Sequence, residues 1–327
     1  MSRTISRGKV ATILSLAFFL FFVLTLLSFA QTFPTKPINA IVTHGPGGAV
    51  DLSFRLIADP ASKILRQPVI TNNNAGAGGS LPLGLLAKEK PDGYHVACVS
   101  TYVMTFNPHV RTVRYILEDF APILTFALAQ NMIMVRGDSP WKTLPQLVDY
   151  AKKNPGKITY SVSGVGNPFW MTMEYIAKTE GIQWTAMPYP QGDPHIPILA
   201  GNVQVVISGP VGLPNVKAGV LRALAVLGEK RWKALPDVPT LRELKYNFAW
   251  SPVIGMVAPK GTPPEIIKTL HDAFKKGMDN PEFHAYLEKV GMEVDYRDPK
   301  EMDKHLKEWY DRFGQVAKDL KMEKAAE

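Results

Sequence analysis

A single cysteine, Cys98, stands among 327 residues, which excludes an intramolecular disulfide and every cysteine-based metal motif; it reads as a buried strand residue. The seven histidines are scattered, with no H-E-x-x-H and no paired spacing for a metal. No G-x-x-x-x-G-K-[ST] occurs, so there is no Walker-type nucleotide site, and G-x-G-x-x-G fails at each glycine loop. No G-x-S-x-G nucleophile elbow is present either. The basic residues are interleaved with acids rather than gathered into a stripe with aromatics, which argues against a nucleic-acid partner. There is no internal repeat and no low-complexity tract. No cofactor is implied.

What is present begins with a leader. Arg3, Arg7 and Lys9 precede an uncharged apolar run from Val10 to Phe29, and Ser28-Phe29-Ala30 gives a small-x-small pattern. That order reads as a signal peptide over residues 1–30 cleaved after Ala30, with an uncleaved anchor as the alternative. No cysteine follows the run, so lipid anchoring there is excluded. Removing the leader lowers the formal charge from +8 to +5, a mild positive field that favours anionic ligands. A 46% hydrophobic content can fill two cores without disulfides or metals.

Beyond residue 33, apolar β-type segments alternate with helical patterns, which predicts a parallel α/β architecture. Strands are expected at 38–42, 69–72, 95–99, 133–135, 158–162, 203–207, 223–226 and 254–258. Helices are expected at 51–65, 144–153, 170–180, 264–278 and 281–290. The pattern runs twice, with breaks near Asp138-Ser139-Pro140 and Ser251-Pro252. Two lobes follow: a discontinuous first one over 34–130 and 252–327, and an inserted second one over 131–251, with a ligand cleft between them.

The sharpest local feature is His44-Gly45-Pro46-Gly47-Gly48-Ala49-Val50-Asp51, which ends a strand and opens a helix. There the glycines expose amides at the positive end of a helix dipole and can hold a carboxylate without a basic side chain. Ser163-Gly164-Val165-Gly166-Asn167-Pro168 repeats the layout in the second lobe, so the two loops can grip one anion from both sides. Asn74-Ala75-Gly76-Ala77-Gly78-Gly79-Ser80 is a third glycine stretch before a helix. The competing reading of each loop is a tight turn and nothing more. His44 sits at the lip of the first loop; His95, His109, His271, His284 and His305 read as surface or satisfied structural residues. His44-Gly45-Pro46-Gly47 is also similar to an esterase oxyanion loop, which keeps a hydrolase using His44 as an alternative.

Taken in order, these motifs resemble the substrate-binding proteins of tripartite tricarboxylate transporters, the TctC or Bug family. Thr43 to Asp51 is similar to the family's P-F-x-P-G-G-x-x-D, and Asn73 to Gly79 to its N-R-P-G-A-G-G. Pro91-Asp92-Gly93-Tyr94 and Asp119-Phe120-Ala121-Pro122-Ile123 match P-D-G-Y and D-F-x-P-[IV]. Lys217 to Val226, then Leu235-Pro236-Asp237-Val238-Pro239-Thr240, is close to K-A-G-K-L-R-A-L-A-V and L-P-D-V-P-T, and Ala258 to Pro263 matches A-P-x-G-T-P. The resemblance covers the chain from Pro34 onward. It implies a type II periplasmic-binding-protein fold and a monomer that catalyses nothing. Such a protein captures a small carboxylate, with an aromatic acid or a dicarboxylate among the candidates, outside the cytoplasmic membrane and hands it to membrane permease subunits, or presents it to a receptor as a sensory adaptor.

Carried over, the ligand contacts fall on Pro46 to Val50 with Asp51 and on Ser163 to Pro168, with Ser100-Thr101-Tyr102 and Ser208-Gly209-Pro210 completing the cleft. Whether Asp51 touches ligand or only supports the helix is open at this point. The chain departs from the family where aromatic, hydroxyl or small residues are replaced by His44, Ala49, Val50, Val165, Pro168, Phe169 and Trp170. Pro190 to Ile198 also looks one residue short. Fewer hydroxyls and more aromatic surface point to a ligand less polar than citrate, an aromatic or longer-chain carboxylate; packing of Phe169 and Trp170 into the core is the alternative.

Overall fold

The computed structural model describes residues 33–189, 194–322 and 324. The leader expected over 1–30, its cleavage site and Pro190 to Asp193 lie outside the described residues. In chain order the strands are β1 (Ile38–Val42), β2 (Val69–Asn73), β3 (His95–Ser100), β4 (Phe120–Ala129), β5 (Met132–Arg136), β6 (Ile158–Val162), β7 (Trp184–Pro188), β8 (Val205–Ser208), β9 (Leu221–Val226), β10 (Val253–Pro259) and β11 (Met292–Arg297). They form two sheets, one ordered β11-β4-β10-β3-β1-β2 and the other β7-β6-β8-β5-β9. Helices pack on both, so the α/β class is as expected.

The sheets are mixed rather than parallel, which corrects the expectation. β1 pairs in parallel with β2 and β3, and β6 with β7 and β8. β10 runs antiparallel to β3 and β4, and β5 antiparallel to β8 and β9. The reason lies in the connections. β5 and β10 start where the chain has just crossed from the other sheet, at the end where β8 and β3 beside them finish, so they run the opposite way.

Two crossings join the sheets, one between β4 and β5 and one leading into β10. They lie side by side. Leu227 donates its N–H to the Asn131 carbonyl at 2.8 Å, and the Ser251 hydroxyl donates to Gln130 Oε1 at 3.2 Å. Gln130 and Asn131 are each 1% exposed. At Gly228 a Cβ would fall 2.4 Å from Gln130 Oε1, so any larger residue there would displace the Gln130 side chain.

Each lobe buries its own core. Helix Ala49–Leu65 and helix Pro264–Gly277 cover the first sheet and stack Phe54 on Phe274 at 5.8 Å between ring centres. Helix Leu144–Lys153 and helix Pro168–Glu180 cover the second. Cys98 is fully buried in β3, as expected. The C-terminal helix Pro299–Asp319 serves both lobes: Phe313 packs its ring against Phe106 of the first and against Phe248 and Trp250 beside the second. No helix among the described residues is long and apolar enough to cross a membrane.

Candidate functional site

The first loop is built around Asp51. β1 delivers the chain to Thr43, and the backbone then turns through Gly47 at φ +75°, a left-handed conformation that glycine takes without strain. Asp51, in the first turn of helix Ala49–Leu65, is 2% exposed. Its Oδ2 accepts the Gly47 N–H at 2.8 Å, and its Oδ1 accepts from Arg55 Nε and Asn73 Nδ2 at 2.9 Å each. Asn73 Nδ2 also donates to the His44 carbonyl at 3.1 Å. Burial alone would raise the Asp51 carboxyl, but the Gly47 amide, Asn73 and Arg55 outweigh it and hold it below its ordinary value. Asp51 therefore folds the turn, with both oxygens occupied inside the loop.

Asp51 leaves the helix start open. Gly48 occupies the cap with no side-chain hydrogen bond. Among the described residues, the N–H groups of Gly48, Ala49 and Val50 meet no acceptor. Three vacant donors at the positive end of a 17-residue helix form an anion cradle on exposed backbone. His44 beside them supplies no charge: burial pushes its ring down to about 4, so it is neutral near pH 7.

The second loop differs. Asn167 caps helix Pro168–Glu180 itself, its Oδ1 accepting the Trp170 N–H at 2.8 Å while its Nδ2 donates to Ser163 Oγ at 3.0 Å. Pro168, first in the helix, has no N–H. Asn167 and Phe169 keep backbone amides with no acceptor among the described residues. The two loops occupy equivalent places, with three such donors at the first helix start and two at the second.

Of the cavities with walls from both lobes, two are bordered by the expected loops. One, of about 620 Å³, is lined by Ala49, Val50 and Ser100 on one side and by Pro210, Val211 and Lys217 on the other. The second, of about 210 Å³, sets Tyr102, Arg111 and Gly78 against Asn167, Phe169 and Trp250, with Ser163 and Pro168 also in its wall. The loop from Ser100 to Tyr102 joins the two. Of the remaining expected residues, His44, Pro46, Gly47, Gly48, Asp51, Thr101, Gly164, Val165, Gly166 and Ser208 line neither cavity. Thr101 is buried and gives its N–H to the Val253 carbonyl at 2.8 Å. Ser208 Oγ lies 2.8 Å from His195 Nε2, in a buried pair.

Phe169 and Trp170 divide between the two roles weighed for them. Phe169 lines the smaller cavity and leans on Trp250 at 5.5 Å between ring centres, while Trp170 packs against the second core. Arg111, Trp250 and Phe106 went unread in the sequence. The one legible trace of Arg111 is that no acid occurs between Asp92 and Glu118.

A pH experiment tests the state of His44. Both His44 and His305, the latter held near 3 mainly by burial, stay neutral in the folded protein but protonate near 6.5 once unfolded. A base with a depressed folded pKa stabilises fully above pH 6.5 and loses that contribution as pH falls toward its folded value. Between pH 7.5 and 5.5 the unfolding free energy should drop by about 1 kcal/mol for each histidine, measured by urea denaturation. The paired change of His44 and His305 to Gln should flatten that slope; an unchanged slope would place the rings in water.

Two sheet-based lobes, a double crossover and a cleft furnished by strand-end loops define a two-lobed solute-binding protein of the periplasmic-binding-protein fold. The family model described as Tripartite tricarboxylate transporter family receptor matches residues 53–322, and the chain belongs to that family. It is 39% identical to the UPF0065 protein in gbd 5'region of Cupriavidus necator, over 90% of this chain and 88% of the relative. A TctC solute-binding protein from Polaromonas superposes with a TM-score of 0.80 at 26% identity, covering 88% of this chain and 100% of that one. The R. palustris protein Rpa4515 with adipate superposes with a TM-score of 0.74 at 28% identity, covering 90% and 100%.

Proposed function

We propose that this chain captures a small carboxylate between its lobes outside the cytoplasmic membrane and presents the closed form to membrane permease subunits. The observation that carries this reading is the vacant amide cradle of Gly48, Ala49 and Val50, of which Ala49 and Val50 line a cavity walled on its far side by the other lobe. The adipate held by the R. palustris neighbour makes an aliphatic carboxylate the first candidate here. The lobes are assigned as 34–130 with 252–327, and 131–251; the leader is assigned to 1–30, leaving a periplasmic protein that works as a monomer.

Binding without turnover is part of the proposal. The Ser208–His195 pair has the spacing of a nucleophile and base, but the two are 5% and 1% exposed, so a substrate carbonyl has no path to Ser208. His44, neutral and hydrogen-bonded to Thr43 Oγ1 through Nδ1 at 3.2 Å, has no neighbouring serine bonded to it among the described residues. Among the described residues, neither histidine is placed to perform ester hydrolysis.

A thermal-shift screen of residues 31–327 against mono-, di- and tricarboxylates, aromatic acids and amino acids tests the reading. A ligand confined to the folded state stabilises by about 2.7 kcal/mol at a hundredfold excess over Kd, so a true substrate raises the melting temperature in a concentration-dependent way. Silence from every carboxylate in a folded sample would refute carboxylate capture.

A further inference from the structure

Arg111 closes the short helix Asn107–Val110, its N–H bonded to the Asn107 carbonyl at 3.0 Å. Its side chain enters the smaller interlobe cavity. There its Nε is buried and has no hydrogen-bond partner, and no carboxylate among the described residues pairs with it. Arg111 is part-exposed, so only this Nε is withdrawn from water; a buried donor left unanswered is costly, and an incoming carboxylate answers the planar donor set well. Its charge is felt by the nearby phenols of Tyr102 and Tyr115, which it draws down against the rise that burial causes.

The cation lies close to the first loop. A Cβ on Gly78 would stand 3.3 Å from Arg111 Nη1, and one on Gly79 would stand 3.1 Å from the Thr43 carbonyl. Gly78 and Gly79 thus set the guanidinium beside the turn that carries the amide cradle. Across the cavity the wall is largely apolar, with Phe169, Trp250 and Pro168, and Phe106 adds a ring on the Arg111 side. Its polar wall atoms from the second lobe are already partly committed, Asn167 to Trp170 and Ser163.

We propose that Arg111 receives the second carboxylate of a dicarboxylate whose first carboxylate rests on the Gly48–Val50 amides, with an unsubstituted carbon spacer against Phe169 and Trp250. This rests on the carboxylate-capture reading and narrows it. A monocarboxylate leaves the guanidinium unanswered. A hydroxylated acid such as citrate or tartrate buries hydroxyls against aromatic rings without partners.

Isothermal titration on the mature chain and on Arg111→Gln tests the assignment, with succinate, adipate and terephthalate set against butyrate, hexanoate and benzoate, and with citrate and tartrate added. In the unaltered protein the best dicarboxylate should bind at least about 30-fold tighter than its matched monocarboxylate, the scale of one charge-assisted pair, and tighter than citrate or tartrate. Arg111→Gln should cut that preference to within about threefold while monocarboxylate affinity and melting temperature stay put. Equal binding of matched acids in the unaltered protein, or a variant that weakens both alike, overturns the role of Arg111 and leaves carboxylate capture standing. A folded chain that binds none of these acids overturns both.

Discussion

Replacing Ala49 with proline is expected to leave the fold intact and to weaken carboxylate binding by roughly 10- to 100-fold, the worth of one hydrogen bond to a charged group. Ala49 is the first residue of its helix, a position where proline is favoured because its fixed φ suits the turn and its missing N–H has no intrahelical use. Gly48 before it is already extended, at φ −75° and ψ 167°, as a residue preceding proline should be. The change therefore deletes one donor of the cradle and sets a ring carbon where the anion would sit. Equal melting temperatures with lost affinity by titration calorimetry would establish that the backbone carries recognition. Retained affinity would remove the cradle from the site.

Phe313→Ala should cost about 3–5 kcal/mol of folding free energy, the usual range for truncating a buried aromatic. Phe313 is 2% exposed, and its ring centre lies 5.3–5.6 Å from those of Phe106, Trp309, Phe248 and Trp250. Those partners come from both lobes and the segment between β9 and β10, so the cavity left behind cannot be closed by one element moving. Urea denaturation checks the figure. A loss under about 1 kcal/mol would mean that the site collapses readily.

Much of the fold was legible because its signals are local. β1 and β6 alternate or run apolar to a glycine turn, and both were read with the bounds they have. β4, β7 and β11 escaped for related reasons. β4 carries Pro122, which a central strand ordinarily rejects; it is tolerated where the register with β10 slips between Met256 and Val257. β7 and β11 lie at sheet edges, half in water, and their mixed residues lose the alternation that marks a buried strand.

The candidate site divides the same way. Glycine spacing announced the Gly47–Val50 cradle, because a helix start with no capping side chain is visible in sequence. It overstated the second loop, where Asn167 and Pro168 consume the positions that spacing leaves free. The place of Asp51 inside the turn depends on Asn73, 22 residues away, and Arg111 acquires its setting only when Gly78, Phe169 and Trp250 are folded around it. Such roles belong to tertiary contact and leave little trace in linear pattern.

On the proposed function, the unequal loops would also bear on how cargo is let go. With three vacant amides and the Arg111 side chain on the first lobe against two amides on the second, parting the jaws would strip away the second lobe's wall and leave a bound anion on the larger share of its donors. Opening is then not the same event as release. A permease that only pried the lobes apart would receive a protein still carrying its passenger, so efficient unloading calls for a competitor at the start of helix Ala49–Leu65, an acidic group or water admitted to those three amides. The receptor's outward trap is symmetrical in shape and one-sided in grip, and the delivery step must address the side that holds.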